Sequence, residues 1–429
     1  MSRRRAVLIN TDLALLGGAP VAGSNFTRRN PFGEEEVRAV SEALQSGVLS
    51  GFLGAPGDDF LGGPIVKTFE RAWRERFSVM HAVSVNSATS GLIAAVGAGR
   101  IGPGDEVIVP PLTMSATAVA PLAYGAIPIF ADVDLDTFCI APDAVLAAIT
   151  PRTRAIIAVN LFGHPAPLAA LRQIADDHGL LLIEDNAQAP LAGENGQLAG
   201  TVGHIGVFSL NVHKHINTGE GGMCVTADDE LADRLQLIRN HGENAVATTA
   251  DISNLFGFNL RMTELTAAVG VEQLKKLDHF VAESVQIAEM WTNELADLEG
   301  IIPPVVRSGC DHVYYTWAMR YDAARNGLSR EVFSKALAAE GIPHSVGYVD
   351  PLYRLPLFQR KIGMGRDGFP FNVGEPNYAS GLCPNAEQLH DHEFLRFDTC
   401  TFDVASDFAT SVVLGIRKVH ENRHKLAAA

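Results

Sequence analysis

The chain has 429 residues, of which 47% are hydrophobic and 19% charged, a composition typical of a globular protein with a large core. The formal net charge of -15 argues against nucleic acid as the main partner, because phosphate contacts need grouped Lys and Arg. No apolar run approaches the roughly 20 residues that span a bilayer, so we expect no membrane contact. Five scattered cysteines indicate reduced thiols, and the apolar stretch after Arg3–Arg5 is interrupted at Asn10–Asp12. We therefore expect a cytoplasmic protein.

Seven short apolar runs predict buried strands, which lie near Ala82–Val85, Glu106–Val109, Ile127–Val133, Ala155–Asn160, Leu180–Glu184, Ile205–Leu210 and Gly222–Val225. Segments with helical spacing lie between them, such as Pro142–Ala148 and Leu168–His178. Because parallel strands are covered on both faces, continuous apolar runs that alternate with helices predict an open α/β sheet.

The second half of the chain predicts a different organisation. A helix is expected from Met262 to Leu277, with helical spacing continuing to about Leu298. Beyond Gly300 the pattern mixes a strand at Val313–Tyr321 with a helix at Ser329–Glu340, and residues 350–390 suggest long loops. We predict a large domain over residues 1–280, with an N-terminal arm, and a smaller C-terminal α+β domain over 281–429.

The segment Asn86–Gly91, with sequence NSATSG, follows a predicted strand and opens a predicted helix. Small residues at a helix N-terminus leave backbone amides that bind an anion, so Ala88, Thr89 and Ser90 are candidates for a phosphate cradle. A plain capping role for Ser87 or Thr89 is an alternative that is compatible with phosphate binding.

Two polar residues stand out in the segment LIEDNAQAP, residues 182–190. Asp185 ends a predicted strand, where open α/β sheets place their ligand sites. A carboxylate there can pair with a protonated pyridine nitrogen, and Gln188 is placed to contact a phenolic oxygen on the same ring. Without the lysine motif that follows, a helix N-cap would be the preferred interpretation of Asp185.

The segment FSLNVHKHINTGEGG, residues 208–222, presents Lys214 in a short loop between two predicted strands. Burial lowers the pKa of a lysine, and a neutral amine attacks an aldehyde to form a Schiff base. Ser209 is placed to contact a phosphate, although a surface-loop lysine is the alternative reading of Lys214. The nearby histidines His213 and His215 lack a carboxylate or thiolate at ligand spacing, so no metal site is predicted.

In this order, the three motifs resemble the DegT/DnrJ/EryC1/StrS family of sugar aminotransferases, which belong to fold type I of the pyridoxal-phosphate-dependent enzymes. The resemblance covers roughly residues 13–350, from LALLGGAPV to GIPHSVGYVDPLY, and includes GFNLRMTEL at 257–265. It implies a mostly parallel seven-stranded sheet flanked by helices, with a smaller C-terminal α+β domain. It also implies pyridoxal phosphate as the cofactor, held by Lys214.

The resemblance further implies a homodimer, in which Asn259 reaches the cofactor phosphate of the partner subunit. Where the family carries an aromatic residue stacked on the pyridine ring, this chain has Met114, whose thioether also packs against a π face. The stretch Gly51–Gly63 is longer than the usual link. It is either a substrate-facing flap or, as we favour, a tolerated surface insertion.

The implied reaction moves an amino group from glutamate or glutamine to a ketosugar, expected to be nucleotide-linked, in amino-sugar biosynthesis. Lys214 would act as general base and acid, with Asp185 as its catalytic partner. The alternatives are a cyclitol acceptor, a sugar dehydratase, in which histidine replaces the lysine in known relatives, and a regulatory protein that binds the cofactor without catalysis.

Overall fold

The computed structural model describes residues 12–23, 26–54, 57–243, 255–403 and 406–427, so most of the N-terminal stretch considered above lies outside it. A seven-stranded sheet organises the first half of the chain, with strands β1 His81–Val85, β2 Glu106–Val109, β3 Ile127–Phe130, β4 Thr153–Val159, β5 Leu181–Asp185, β6 Ile205–Ser209 and β7 Gly222–Thr226. All seven predicted strands are therefore confirmed, with ends that differ by at most three residues.

The strand order is β1-β7-β6-β5-β4-β2-β3. Strands β2 to β6 pair in parallel, and β7 is antiparallel to both of its neighbours. In the register of β4 and β5, Val159 lies opposite Asp185, so these two strands end side by side. The prediction of a mostly parallel sheet is confirmed, and its carboxyl edge is where ligand sites of such sheets lie.

Helices cover this sheet and continue into the C-terminal half. They are α1 Glu34–Gln45, α2 Pro64–Phe77, α3 Ala88–Ala98, α4 Ala116–Leu122, α5 Pro142–Ala148, α6 Leu168–His178, α7 Asp229–Arg239, α8 Glu264–Leu295, α9 Ala323–Asn326, α10 Arg330–Ala339, α11 Pro356–Gln359, α12 Pro384–Gln388, α13 Phe408–Glu421 and α14 Arg423–Ala427. None of the helices in the described ranges is long and apolar enough to cross a membrane.

A second, antiparallel sheet lies in the C-terminal half, with strands β8 Ile301–Ile302, β9 Thr316–Tyr321, β10 Ser345–Val346 and β11 Phe394–Asp398 in the order β8-β9-β11-β10. Three two-residue strands, at 193–194, 197–198 and 310–311, form a minor sheet. The predicted strand and helix of this half are both present, as β9 and α10.

Helix α8 is 32 residues long and contributes to two hydrophobic cores. Leu274 and Leu277 belong to the core around the large sheet, whereas Trp291 and Leu295 belong to the core under the small sheet. Thr263 caps its N-terminus by accepting a hydrogen bond from the Thr266 amide at 3.2 Å. The boundary predicted at residues 280 and 281 falls inside this helix, and the division into two domains stays a prediction.

Residues 350–390, expected as long loops, are mostly irregular, with only short helical segments such as α11 and α12, but they pack on the large sheet. Their aromatic side chains Tyr353, Phe358 and Tyr378 are buried around Phe130 of β3, with ring centroids 5.1–5.6 Å apart from it. This packing places the segment in the core of the large sheet. Non-periodic aromatic residues carried no strand or helix signal, although they bury as much surface as a regular element.

The stretch from Gly51 to Gly63 packs against the protein through its described residues. Phe52 and Phe60 are buried, and Asn240 donates a hydrogen bond to the carbonyl oxygen of Leu53 at 2.9 Å. None of its described residues lines the cavity that contains Lys214. The described part of this stretch is thus anchored through Phe52 and Phe60, while Leu53 is exposed, and the choice between flap and surface insertion stays a prediction.

Candidate active site

The residues predicted for the site converge on one cavity of about 410 Å³, called the main cavity here. Seven of the nine line it: Ala88, Thr89, Met114, Asp185, Gln188, Ser209 and Lys214. They come from the N-terminus of α3, the segment after β2, the end of β5 and the loop between β6 and β7. Ser90 and Asn259 are not among the lining residues.

Asp185 is the last residue of β5, and its side chain is buried in the wall of the main cavity. The Thr117 hydroxyl donates a hydrogen bond to its Oδ2 atom at 2.8 Å, and the Ala187 amide donates to Oδ1 at 3.2 Å. Burial raises the pKa of this carboxyl, while these two donors and the charge of Lys214 oppose that rise. Asp185 is thus a fixed, desolvated carboxylate facing the cavity.

Lys214 lies in the loop between β6 and β7, which is held by hydrogen bonds within the loop. The Lys214 amide donates to the Asn211 carbonyl at 2.9 Å, and the Thr218 amide donates to the Leu210 carbonyl at 2.9 Å. Its Nζ atom is 4.4 Å from the centroid of the Tyr315 ring. Burial lowers the pKa of Lys214 to about 8, against the opposing charges of Asp185 and Cys400. About a tenth of the amine is therefore neutral at pH 7, far more than for an exposed lysine.

The N-terminus of α3 faces the main cavity with two backbone amides. Ser87 is its N-cap and accepts a hydrogen bond from the Ser90 amide at 3.1 Å, so that amide is already used. Ala88 and Thr89 line the cavity, and a helix N-terminus favours an anion there. Two backbone amides are thus available for an anion, and not the three that were predicted, because the Ser90 amide is already bonded to Ser87.

Gly222, in the EGG sequence, allows β7 to approach this helix start. A Cβ atom at residue 222 would lie 2.7 Å from the carbonyl carbon of Ser87 and 2.8 Å from the Ala88 nitrogen. Such contacts with backbone atoms cannot be relieved by a side-chain rotation. Only glycine fits here without moving the start of α3.

Gln188 is held by contacts on both sides of its amide. Its Oε1 atom accepts from the Phe162 amide at 2.7 Å, and its Nε2 atom donates to the Tyr348 hydroxyl at 3.1 Å. Tyr348 itself lines the main cavity. Gln188 is therefore oriented before any ligand binds, with one amide hydrogen left for a ligand oxygen.

Met114 and Asn259 differ from the other predicted residues in their surroundings. Met114 lines the main cavity, yet the described residues leave its side chain 59% exposed. Asn259 is exposed and forms an isolated bridge with Asn240, outside the cavity. Its contact with a cofactor stays a prediction, because it requires a partner subunit.

Sequence reasoning missed three residues of the site: Thr117, Tyr315 and Tyr348. Thr117 lies on α4 and binds Asp185, 68 residues away. Tyr348 stands in the quoted sequence GIPHSVGYVDPLY, which was a signal that could have identified it. Tyr315 precedes β9 and gave no signal of its own. Within the described ranges no group of three or more His, Cys, Asp or Glu side chains is placed to hold a metal ion.

The donor set of the main cavity fits pyridoxal phosphate. A partly neutral lysine can bond to the cofactor's aldehyde, and a buried carboxylate can pair with its pyridinium nitrogen. The two backbone amides at the start of α3 can bind its phosphate. The absence of a Cβ at Gly222 preserves the helix start that offers those amides. The residues that would hold the cofactor are thus already assembled.

Several known proteins are similar to this chain in sequence or in fold. The chain is 35% identical over 347 residues to the spore coat polysaccharide biosynthesis protein SpsC of Bacillus subtilis, covering 79% of this chain and 86% of that protein. It is 36% identical over 368 residues to the L-glutamine:2-deoxy-scyllo-inosose aminotransferase of Streptomyces kanamyceticus, covering 82% and 83%. The crystal structure of DesI, solved in the presence of its TDP-sugar product, matches with a TM-score of 0.80 and 29% identity over 97% of this chain and 98% of that one.

The sequence pattern of the DegT/DnrJ/EryC1/StrS aminotransferase family matches residues 32–383. This range contains every motif identified above except the N-terminal LALLGGAPV. The fold is that of the type I enzymes that depend on pyridoxal phosphate, as the resemblance implied. The chain is therefore a pyridoxal-phosphate-dependent aminotransferase and belongs to the DegT/DnrJ/EryC1/StrS aminotransferase family.

Proposed function

We propose that this aminotransferase moves an amino group from glutamate or glutamine to a nucleotide-linked ketosugar in amino-sugar biosynthesis. The observation that carries the proposal is the placement of Lys214 and Asp185 in one cavity, with burial lowering the pKa of the lysine to about 8. A lysine that exchanges its proton near neutral pH can serve as both base and acid.

When bound, pyridoxal phosphate supplies an aldehyde that takes up the amino group and a ring that accepts electron density. Lys214 Nζ would then carry the proton removed from the donor's α-carbon. Asp185, held by Thr117 and Ala187, would keep the ring nitrogen protonated. The amides of Ala88 and Thr89, with Ser209, would bind the phosphate, and Gln188 the phenolic oxygen.

The proposed acceptor follows from the relatives that this chain resembles. DesI was solved with a TDP-sugar product, which supports a nucleotide-linked ketosugar. A second candidate is a cyclitol ketone, because the Streptomyces kanamyceticus relative, 36% identical, is named for 2-deoxy-scyllo-inosose. Both acceptors present a ring ketone, so the same lysine chemistry serves either.

We further propose a cytoplasmic homodimer. Met114 lines the main cavity and its side chain is 59% exposed, which leaves apolar surface that a second subunit would cover. Asn259 is exposed and so is available to a partner's site. A homodimer would account for both features.

The test has two stages. The visible absorbance of the bound cofactor is followed while glutamate or glutamine is added, and a ketosugar nucleotide or a cyclitol ketone is then supplied. We expect the cofactor band to bleach with a donor, and mass spectrometry to detect the amino product of one acceptor. Lys214→Ala should abolish both signals, whereas Lys335→Ala, at an exposed position on α10, should keep them. Unchanged turnover in Lys214→Ala would overturn the lysine assignment.

A further inference from the structure

A second, smaller cavity of about 200 Å³ adjoins the main cavity, called the side pocket here. It is lined by His213, Tyr315, Arg396, Asp398, Cys400 and Thr401. His213 and Tyr315 line both cavities, so the side pocket lies directly beside the cavity that contains Lys214. None of the roles assigned above uses Arg396 or Asp398.

Strand alternation explains how two charged residues come to face this pocket. Arg396 and Asp398 are two residues apart on β11, so they point to the same side of the small sheet. The intervening Leu395 and Phe397 point the other way and are fully buried in the core under that sheet. The period of two therefore fixes the charged pair on the pocket side.

The two side chains form an ion pair, with Arg396 Nη1 3.2 Å from Asp398 Oδ1. The guanidinium also lies 5.4 Å from the centroid of the Tyr348 ring, which lines the main cavity. Arg396 Nε is buried, and no hydrogen-bond acceptor meets it among the described residues. A guanidinium carries five N–H donors, so this one retains donors for a ligand.

The charges of the pair decide which ligand group is complementary. A carboxylate would accept from Arg396 but would be repelled by Asp398, and it offers no donor in return. A primary carboxamide is uncharged, and its oxygen accepts from Arg396 while its N–H group donates to Asp398. The carboxamide of glutamine is three carbon–carbon bonds from the α-carbon, which would be held at Lys214.

We propose that Arg396 and Asp398 select glutamine over glutamate as the amino donor by binding the side-chain carboxamide in the side pocket. This inference rests on the proposed function, since it assigns the donor of that reaction. A sugar hydroxyl also donates and accepts hydrogen bonds, so the acceptor is the other source of the same chemistry.

The test measures binding separately from turnover. In the Lys214→Ala variant loaded with pyridoxal phosphate, the donor's amine condenses with the cofactor aldehyde and releases water, but without the lysine the proton on the α-carbon is not moved. Calorimetry then gives apparent dissociation constants for the two donors, which can be compared because the condensation is common to both. We expect glutamine to bind about tenfold more tightly than glutamate, which corresponds to one like-charge contact in a partly exposed site. Adding Asp398→Asn should bring the two constants close together, because it removes the repulsion.

The matched control is Asp136→Asn, which removes the carboxylate paired with Arg320 at 2.7 Å, away from both cavities. It should leave the glutamine preference unchanged. Equal binding of the two donors, tighter binding of glutamate, or no measurable binding of either would overturn the proposal. A preference that survives Asp398→Asn, while the KM of the acceptor rises, would assign the pocket to the acceptor instead.

Failure of the proposed function has a different signature. If glutamine binds preferentially and Asp398→Asn removes that preference, the selection by the side pocket holds even when no amino product forms. The absence of product would then contradict only the proposed acceptor.

Discussion

Replacing Thr117 by Val tests how the buried carboxylate of Asp185 is maintained. The substitution keeps the branched shape of the side chain but removes the hydroxyl that donates to Asp185 Oδ2 at 2.8 Å. That donor lowers the pKa of Asp185 against the effect of burial, so its loss raises the pKa further. The Ala187 amide, at 3.2 Å, then remains as a donor to the carboxylate.

The magnitude follows from the nature of the bond. A hydrogen bond to a charged group contributes about 1.5 to 3 kcal/mol, and it is near the upper end when the group is desolvated. Because 1.36 kcal/mol is a factor of ten, the rate of cofactor conversion by a donor at neutral pH should fall about 10- to 150-fold. The acid limb of the pH–rate profile should move to higher pH, since Asp185 ionises later.

The assay is the stopped-flow bleaching of the bound cofactor by glutamine, recorded across pH. The control is Thr316→Val, because Thr316 is a buried threonine outside both cavities whose hydroxyl has no hydrogen-bond partner among the described residues. We expect this control to behave nearly as the unmodified enzyme. If Thr117→Val matched the control in both rate and acid limb, the reasoning that Thr117 maintains the charge of Asp185 would be refuted.

Three further predictions concern the lysine, the helix start and the subunit contact. Because the folded pKa of Lys214 is about 8, against 10.5 for the free side chain, the unfolded chain binds more protons between these values, and stability from this group rises with pH across that window. Lys214→Met should therefore stabilise the cofactor-free protein at pH 7 by about 1 to 3 kcal/mol, a gain that fades by pH 10.5, as denaturant unfolding would show. Gly222→Ala should weaken cofactor affinity at least about tenfold in an absorbance titration. The control Gly102→Ala should not, because an added Cβ there meets nothing within 4 Å. Equal affinities of the two variants would contradict the close approach of β7 to the start of α3. If Asn259 serves the partner's site, mixed dimers of Lys214→Ala and Asn259→Ala chains should be more active than either variant alone, and a simple average of the two would exclude that role.

The large sheet could be predicted because its signal is local. Continuous apolar runs such as Ile156–Val159 identify strands covered on both faces. The places of Asp185, at a strand end, and of Lys214, in a loop after a strand, follow from where such runs end. The N-terminus of α3 was equally local, except that the cap formed by Ser87 removes one of the three amides assigned to the cradle.

The rest of the site depends on contacts between distant parts of the chain. Gln188 contacts Tyr348, which is 160 residues away in the sequence. Tyr315, the residue just before β9 of the small sheet, contacts Lys214. Neither contact produces a periodic pattern in the sequence that could have predicted it, because each involves a single side chain near the end of an element. The aromatic cluster around Phe130 escaped prediction for the same reason.

The unbroken helix α8 has a consequence for how the protein unfolds. At about 1.5 Å per residue it is close to 48 Å long, and its two halves supply Leu277 to one core and Trp291 to the other. Melting either core would release half of a continuous hydrogen-bonded ladder and expose its apolar face, so each core loses a wall when the other opens. Calorimetry should then record one cooperative transition, and a chain cut near residue 281 should yield two fragments that aggregate rather than two independent modules.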